Sequence, residues 1–253
     1  SVATTKDMYY NVALDVSPDI EGLYLGDFVF DYNYRDRETY SSFSGFDTDR
    51  MTDTQGVKGK YIFDHTLFDR EVNFVTGVDY YDSEHDIIGS KTNSADTTIT
   101  RQDIGVFAFL QFELYKNLFV NGGTRYQKVR YEFDNRSVGS FDKSLPDDHV
   151  SMFGLKYEYD EGSNIHFNYQ ESFRFLTTDE FYSTFSGVVN TDLEQQRGKQ
   201  FEVGIKHKLN EAVVLDLTGY MIDLTHEIFF DPVAGSNSNY NKTRRYGVEL
   251  GSR

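Results

Sequence analysis

Asn164-Ile-His-Phe-Asn-Tyr-Gln-Glu-Ser-Phe-Arg174 alternates with period two. Ile165, Phe167, Tyr169 and Phe173 fall on one side with Glu171; His166, Asn168, Gln170, Ser172 and Arg174 fall on the other. Successive side chains of a strand point to opposite faces, so the stretch reads as a strand with one apolar and one polar face. The pattern recurs between Gln200 and Leu209, where Phe201, Val203, Ile205 and Leu209 oppose Glu202, Gly204, Lys206 and Lys208. Between Ile104 and Leu114 the face holding Val106, Ala108, Leu110, Phe112 and Leu114 opposes a mixed one of Gly105, Phe107, Phe109, Gln111 and Glu113. Helical spacing is hard to find anywhere in the chain.

Cutting at turn residues predicts about eleven strands: 8–16, 20–36, 52–63, 70–85, 100–115, 118–133, 149–159, 164–173, 199–209, 213–229 and 241–251. Short connections (Ser17–Asp19, Asp64–Asp69, Lys116-Asn117, Asp160–Ser163, Asn210–Ala212) alternate with long ones (37–51, 86–99, 134–148, 174–198, 230–240). Pro18, Pro146 and Pro232 all fall in connections, where a missing N–H breaks no ladder bond. Such alternation means consecutive antiparallel hairpins with two unlike rims, as in up-and-down outer-membrane barrels. Aromatics beside the short turns (Tyr24, Tyr61, Phe63, Phe68, Tyr115, Tyr157 and Tyr159) suit an interfacial girdle, or else cross-strand packing in a sandwich.

Composition narrows the function classes. The 253 residues carry 41 acidic and 25 basic side chains, a formal net charge of −16, which argues against a nucleic-acid partner of the same sign. Without cysteine there is no disulfide, thiol nucleophile or Cys-ligated metal. Mean hydropathy is −0.56, and no apolar run approaches the roughly 18 residues of a spanning helix. Yet aromatics make up 16% of the chain. That combination fits a transmembrane β-barrel, or a soluble β-sandwich that binds glycan or protein through exposed rings. Ser1-Val-Ala-Thr-Thr-Lys6 has no leader character and Tyr246–Arg253 ends within a strand, so a fragment of a longer protein is expected.

Four segments resemble the barrel of TonB-dependent outer-membrane receptors. Glu171-Ser-Phe-Arg-Phe-Leu-Thr-Thr-Asp-Glu-Phe181 is similar to the family's S-F-R-x-P-x-x-x-E-L stretch, with Leu176 near the position of the proline. Asn190-Thr-Asp-Leu193 followed by Gln200-Phe-Glu-Val-Gly204 resembles N-x-x-L-x-P-E…x-x-E-x-G, with Gln195-Gln196 replacing P-E. Tyr220–Pro232 followed by Asn241-Lys-Thr-Arg-Arg-Tyr-Gly-Val-Glu249 is similar to F-x-x-D-x-x-D-x-I…N…x-x-x-G-x-E. Phe107-Ala-Phe-Leu-Gln-Phe-Glu113 with Leu118–Tyr126 resembles a Q-x-E strand paired with a G-x-R-Y strand. The match covers about 100–251 well and 8–99 in style only.

The resemblance implies an all-β, antiparallel up-and-down transmembrane β-barrel in the outer membrane of a Gram-negative bacterium. It implies about half of some 22 strands, as one segment over 1–253, with the plug domain and remaining strands outside this chain. It further implies outer-membrane lipid around the wall, a scarce small-molecule nutrient (iron–siderophore, haem or cobalamin) as ligand, and TonB as a partner reached through the plug. A passive porin-like channel is the alternative within the membrane class.

In such a receptor the long loops and upper inner wall meet the ligand. The candidates are Tyr40, Phe43 and Phe46 in the first long loop, and Phe181, Tyr182 and Phe185 in the fourth, as stacking faces. Arg174, on the polar face where that loop starts, suits an anionic ligand or a plug carboxylate; loop self-packing and a wall salt bridge are the plainer roles. The carboxylates of Asp47–Asp53 and Asp82–Asp86 have oxygen chemistry suited to calcium, but the first lacks the EF-hand glycine. His65, His85, His149, His166, His207 and His226 show no paired ligand spacing, so neither a metal site nor a cofactor is expected. No nucleophile elbow, Walker loop or dinucleotide fingerprint appears, and no enzyme activity is expected.

Overall fold

The alternation becomes one continuous antiparallel meander. A computed structural model describes residues 2–20, 23–43, 46–89, 96–136, 139–183 and 188–252. Its strands are β1 (Val2–Val16), β2 (Asp19–Ile20), β3 (Leu23–Tyr24), β4 (Asp27–Phe43), β5 (Phe46–Leu67), β6 (Arg70–Gly89), β7 (Thr97–Tyr115) and β8 (Leu118–Asn135). They continue as β9 (Gly139–Ser144), β10 (Asp148–Asp160), β11 (Ser163–Arg174), β12 (Tyr182–Ser183), β13 (Val188–Val189), β14 (Gln196–Asn210), β15 (Val213–Asp231) and β16 (Ser236–Ser252). Eleven of them follow one another in the order β1-β4-β5-β6-β7-β8-β10-β11-β14-β15-β16. β9 pairs with the end of β8, while β2–β3 and β12–β13 are separate small hairpins. The sheet is open between β1 and β16 in this structure.

The number and order of the strands follow the sequence pattern; several connections do not. The predicted long loop over 37–51 is strand almost throughout, since β4 and β5 stay paired from Asp27↔Ile62 to Phe43↔Phe46. Residues 230–240 are likewise mostly ladder, pairing up to Asp231↔Ser236. Within 134–148, residues 139–144 form β9, which pairs β8 beyond the point where β10 leaves it. Conversely, the short first turn lengthens, and residues 20–26 hold the β2–β3 hairpin instead of opening the next strand. The polar composition of 37–51 looks like a loop, but an acid–base alternation can run outside a membrane as well-paired strand.

Turn chemistry sets the tight rim. Between β5 and β6 only Phe68 and Asp69 intervene, at φ 53° and 59°. Two residues with φ > 0 make the type I′ connection whose twist matches the flanking strands. β5 has 22 residues, about 70 Å of extended chain, against roughly 30 Å of hydrocarbon in a bilayer.

Register carries the apolar alternation unbroken across the sheet. Leu14 lies opposite Phe30, Phe30 opposite Gly59, Gly59 opposite Val78, Val78 opposite Val106 and Val106 opposite Tyr126. Farther on, Leu155 faces Phe167, Phe167 faces Val203, Ile205 faces Leu217 and Leu217 faces Leu250. No second layer covers this face among the described residues: Val57 is 50% exposed, Val106 51% and Val203 57%. A soluble sandwich would seal these side chains, so the sandwich alternative fails. Toward the short-turn rim the same face gathers rings, with Phe28–Tyr61 centroids 5.1 Å apart and Tyr24–Phe63 6.0 Å apart. Glu171 sits where the apolar band ends, accepting from the Tyr169 hydroxyl at 2.8 Å and the Ser151 amide at 3.1 Å.

Candidate functional site

The opposite face begins polar. Across its middle, Arg125 on β8 reaches over β7 to Asp79 on β6, donating from Nη1 and Nη2 at 2.9 and 2.8 Å. Gly105 lies beneath that bridge, where any Cβ would collide with the Arg125 guanidinium and crowd the Asp79 carboxylate. Nearer the long-loop rim, Arg101 Nη2 donates to Asp103 at 3.1 Å and Gln127 donates to the same carboxylate at 3.2 Å.

Above this layer the same face turns apolar. Ile99, Val129, Tyr131 and Phe133 project from β7 and β8 and are fully buried beneath Phe175, Leu176, Phe181 and Leu193. The connection after β11 therefore folds onto the sheet. The Phe181 ring meets Tyr131 and Phe133 edge-on, with centroids 4.9 and 5.1 Å away. Such edge-to-face pairs add about 0.5–1.5 kcal/mol each beyond the area they bury. The Tyr131 hydroxyl and Arg101 Nη1 both donate to the Leu176 carbonyl, at 2.5 and 3.1 Å. Burial pushes the Tyr131 hydroxyl above its ordinary pKa. Burial opposes the Arg101 charge, but Tyr131 and Asp103 outweigh it and raise its pKa.

Polar ties fix the loop's edges. Lys143 on β9 donates to the carbonyls of Thr191 and Leu193, and burial holds its pKa below the usual lysine value. Asn239 on β16 donates to the Glu194 carbonyl at 3.0 Å and accepts from the Glu194 amide at 2.9 Å. Gln195 donates to the buried Asp148 carboxylate at 2.8 Å, and Arg197 completes that site at 3.1 Å.

The structure separates the residues picked out from sequence. Arg174 lies on the polar face and its Nη1 grips both Glu180 oxygens, at 2.8 and 2.9 Å. Glu180 also caps Thr177 N at 2.9 Å, so this pair closes the turn that opens the loop. Phe181 is fully buried and holds the loop from below. Tyr40 is 39% exposed but shares the apolar face with Phe30 and Tyr32, because β4 has no register break. Phe43 and Phe46 end their strands as a pair; their side chains and that of Tyr182 lie outside the described residues, as does all of Phe185.

The carboxylates of 47–53 and 82–86 lie side by side across β5 and β6, with Asp53 opposite Glu84. Asp49, Asp53, Asp82, Glu84 and Asp86 extend the apolar face outward, whereas His85 points to the polar face and bonds Thr52 Oγ1 at 2.6 Å. Among the described residues no three His, Asp or Glu side chains are placed to hold a metal ion. Sequence reading missed Ile99, Val129, Tyr131 and Phe133, whose alternation within β7 and β8 was visible but gave no hint that a loop would cover them.

An antiparallel meander with a bare apolar band on one face and a polar, loop-covered opposite face defines the wall of an outer-membrane β-barrel. The chain belongs to the TonB-dependent receptor-like β-barrel family, whose model matches residues 4–253, and its place is the Gram-negative outer membrane. That family is one of receptors, and a curated member of it is a transporter. A curated relative, the ferrichrome outer membrane transporter/phage receptor of Escherichia coli (strain K12), is 29% identical over 153 residues, 59% of this chain and 19% of that protein. The hemophore receptor HasR of Serratia marcescens superposes with TM-score 0.77 at 17% identity, over 99% of this chain and 46% of that one. The alcaligin outer membrane receptor FauA of Bordetella pertussis gives 0.72 at 14% identity, over 99% and 44%. This chain thus spans less than half the length of the receptors it matches.

Proposed function

We propose that this chain forms part of the wall of a TonB-dependent receptor that binds a scarce nutrient, such as an iron–siderophore, haem or cobalamin, and imports it across the outer membrane. In this reading the inner-membrane TonB complex drives import through a plug domain outside the chain. Further strands pair with β1 and β16, since unpaired backbone groups in hydrocarbon cost several kcal/mol each. The observation that carries the proposal is the connection after β11, whose residues 175–181 and 191–195 fold onto the polar face at the long-loop rim and put a structured surface where a ligand arrives. Ligand contacts belong to Phe43 and Phe46 at the hairpin tip and to Arg174, Tyr182 and Phe185, with Phe181 supporting the loop from beneath and Tyr40 left on the outer face. The relatives named for ferrichrome and alcaligin, and the hemophore receptor in complex with its hemophore and heme, support a metal- or iron-bearing nutrient.

The test is uptake by whole cells expressing the full-length receptor, with and without a working TonB complex. Radiolabelled iron chelates, haem and cobalamin are offered in turn. Accumulation of one of them only in TonB-proficient cells is expected. Equal entry in both strains would mark a passive channel and overturn the proposal.

A further inference from the structure

Beside the folded loop, at the long-loop ends of β4, β5 and β6, lies a pocket of about 300 Å³. Its lining is Arg35, Arg37 and Arg50, His85, and four threonines, one of them Thr178 from the loop. Cross-strand pairing assembles it: Arg35 lies opposite Thr54, Arg37 opposite Thr52, Arg50 opposite Thr39, and Thr52 in turn opposite His85. All eight side chains can donate hydrogen bonds, and neither a carboxylate nor a Phe or Tyr ring is among them. The acids that neighbour these arginines along the outer ends of the strands are on the other face, where Asp36 lies opposite Asp53 and Asp53 opposite Glu84.

Compensation within the protein is incomplete. Asp7 at the pocket's β1 flank engages Arg35, at 2.9 Å from Nε and 2.5 Å from Nη2. Arg37 and Arg50 have no carboxylate within ion-pair distance among the described residues, and the buried Arg50 Nε has no hydrogen-bond partner. A chain of net charge −16 has many acids with which to neutralise three neighbouring arginines. Arg37 is exposed and lies opposite Asp7 in the β1–β4 register, but Arg50 keeps a buried, unbonded Nε beside two other guanidinium groups, a cost in repulsion and desolvation that an anion relieves.

We infer that this pocket receives an anionic oxygen group of the imported ligand, such as a carboxylate or phenolate arm of a metal chelate or a haem propionate. The inference rests on the uptake reading above and narrows its substrate class to anionic cargo. Planar guanidinium forks bind two oxygens side by side, and the threonine hydroxyls supply further donors. The volume sits at the lower limit of small-molecule sites, fitting one charged arm with the rest of the chelate on the open wall.

The test uses the full-length receptor in outer-membrane vesicles. Ferric citrate, a ferric tricatecholate and haem serve as anionic probes; a ferric trihydroxamate and cobalamin serve as neutral ones. The expected result is tight binding of an anionic probe by the wild type, weakened about tenfold or more in R37Q/R50Q. R37K/R50K should retain most of that affinity, and gel heat-modifiability reports that both variants fold. Binding of a neutral probe alone, or anionic binding unchanged in R37Q/R50Q, overturns the inference and leaves uptake standing; the latter is the outcome if the arginines hold another segment of the protein. Failure of every probe to bind overturns both.

Discussion

The two halves of β8 use one alternation for opposite purposes. Nearer the short-turn end its polar-face positions are Gly123, Arg125 and Gln127, all half-buried, with Arg125 and Gln127 bonded to carboxylates on β6 and β7. Toward the long-loop end the same positions become Val129, Tyr131 and Phe133, all fully buried. A barrel's inner wall is polar where water or a mobile partner lies against it, and apolar where a loop is packed permanently. The switch comes within a few residues, which dates the loop's seat on the wall as part of the fold and not as an incidental contact.

Phe181→Ala is the hardest blow to this contrast. Losing a fully buried ring costs about 3–5 kcal/mol, and the loss should fall on the loop and leave the ladder intact. Hydrogen exchange of amides 175–195 should accelerate by about a hundredfold or more, with β8 and β10 amides unchanged. Unchanged exchange in the loop would mean that its seat does not depend on the Tyr131–Phe133 wall.

The second blow falls on the face where no contrast is expected. Val203→Arg puts a charge in the middle of the apolar band and should cost about 2–4 kcal/mol of stability in a bilayer. Gln170→Arg, on the polar face of neighbouring β11, should cost far less. Urea unfolding of the full-length receptor in lipid vesicles measures both. Equal losses would show that the two faces do not differ in what they touch.

Much of this was legible from period two alone. Ile165, Phe167 and Tyr169, with Val203 and Ile205, announced the face that the register later joined from β1 to β16. The outer ends of the strands were hidden by their composition. Tyr34-Arg-Asp-Arg-Glu-Thr-Tyr40 has the alternation of a strand, with Arg35 and Arg37 on one side and Asp36 and Glu38 on the other. Its part beyond residue 36 lacks an apolar face, so 37–51 reads as a loop and the arginine pocket goes unseen with it. Arg50 could join that pocket only through the β4–β5 register, which no local pattern displays. Phe181 shows the converse limit: an aromatic in a loop reads as a binding residue until burial shows what it packs against.

Arg174 gives the smallest expected effect and the finest cut between the loop's two roles. Its grip on Glu180 is half open to water, the arginine side chain being 41% exposed, so the pair contributes about 0.5–1 kcal/mol. Arg174→Gln should leave the Tyr131–Phe181 seat in place and loosen only the turn at Thr177–Glu180. Exchange of the first loop amides then rises severalfold while the amides near Leu193 keep their protection. If Arg174 also contacts cargo, ligand affinity falls by more than this loosening accounts for, and Glu180→Gln, which frees the guanidinium without removing it, does not reproduce the fall. If the arginine serves the turn alone, the two variants lose the same amount. The pair of substitutions therefore separates a wall salt bridge from a ligand contact at a residue whose sequence position allows either.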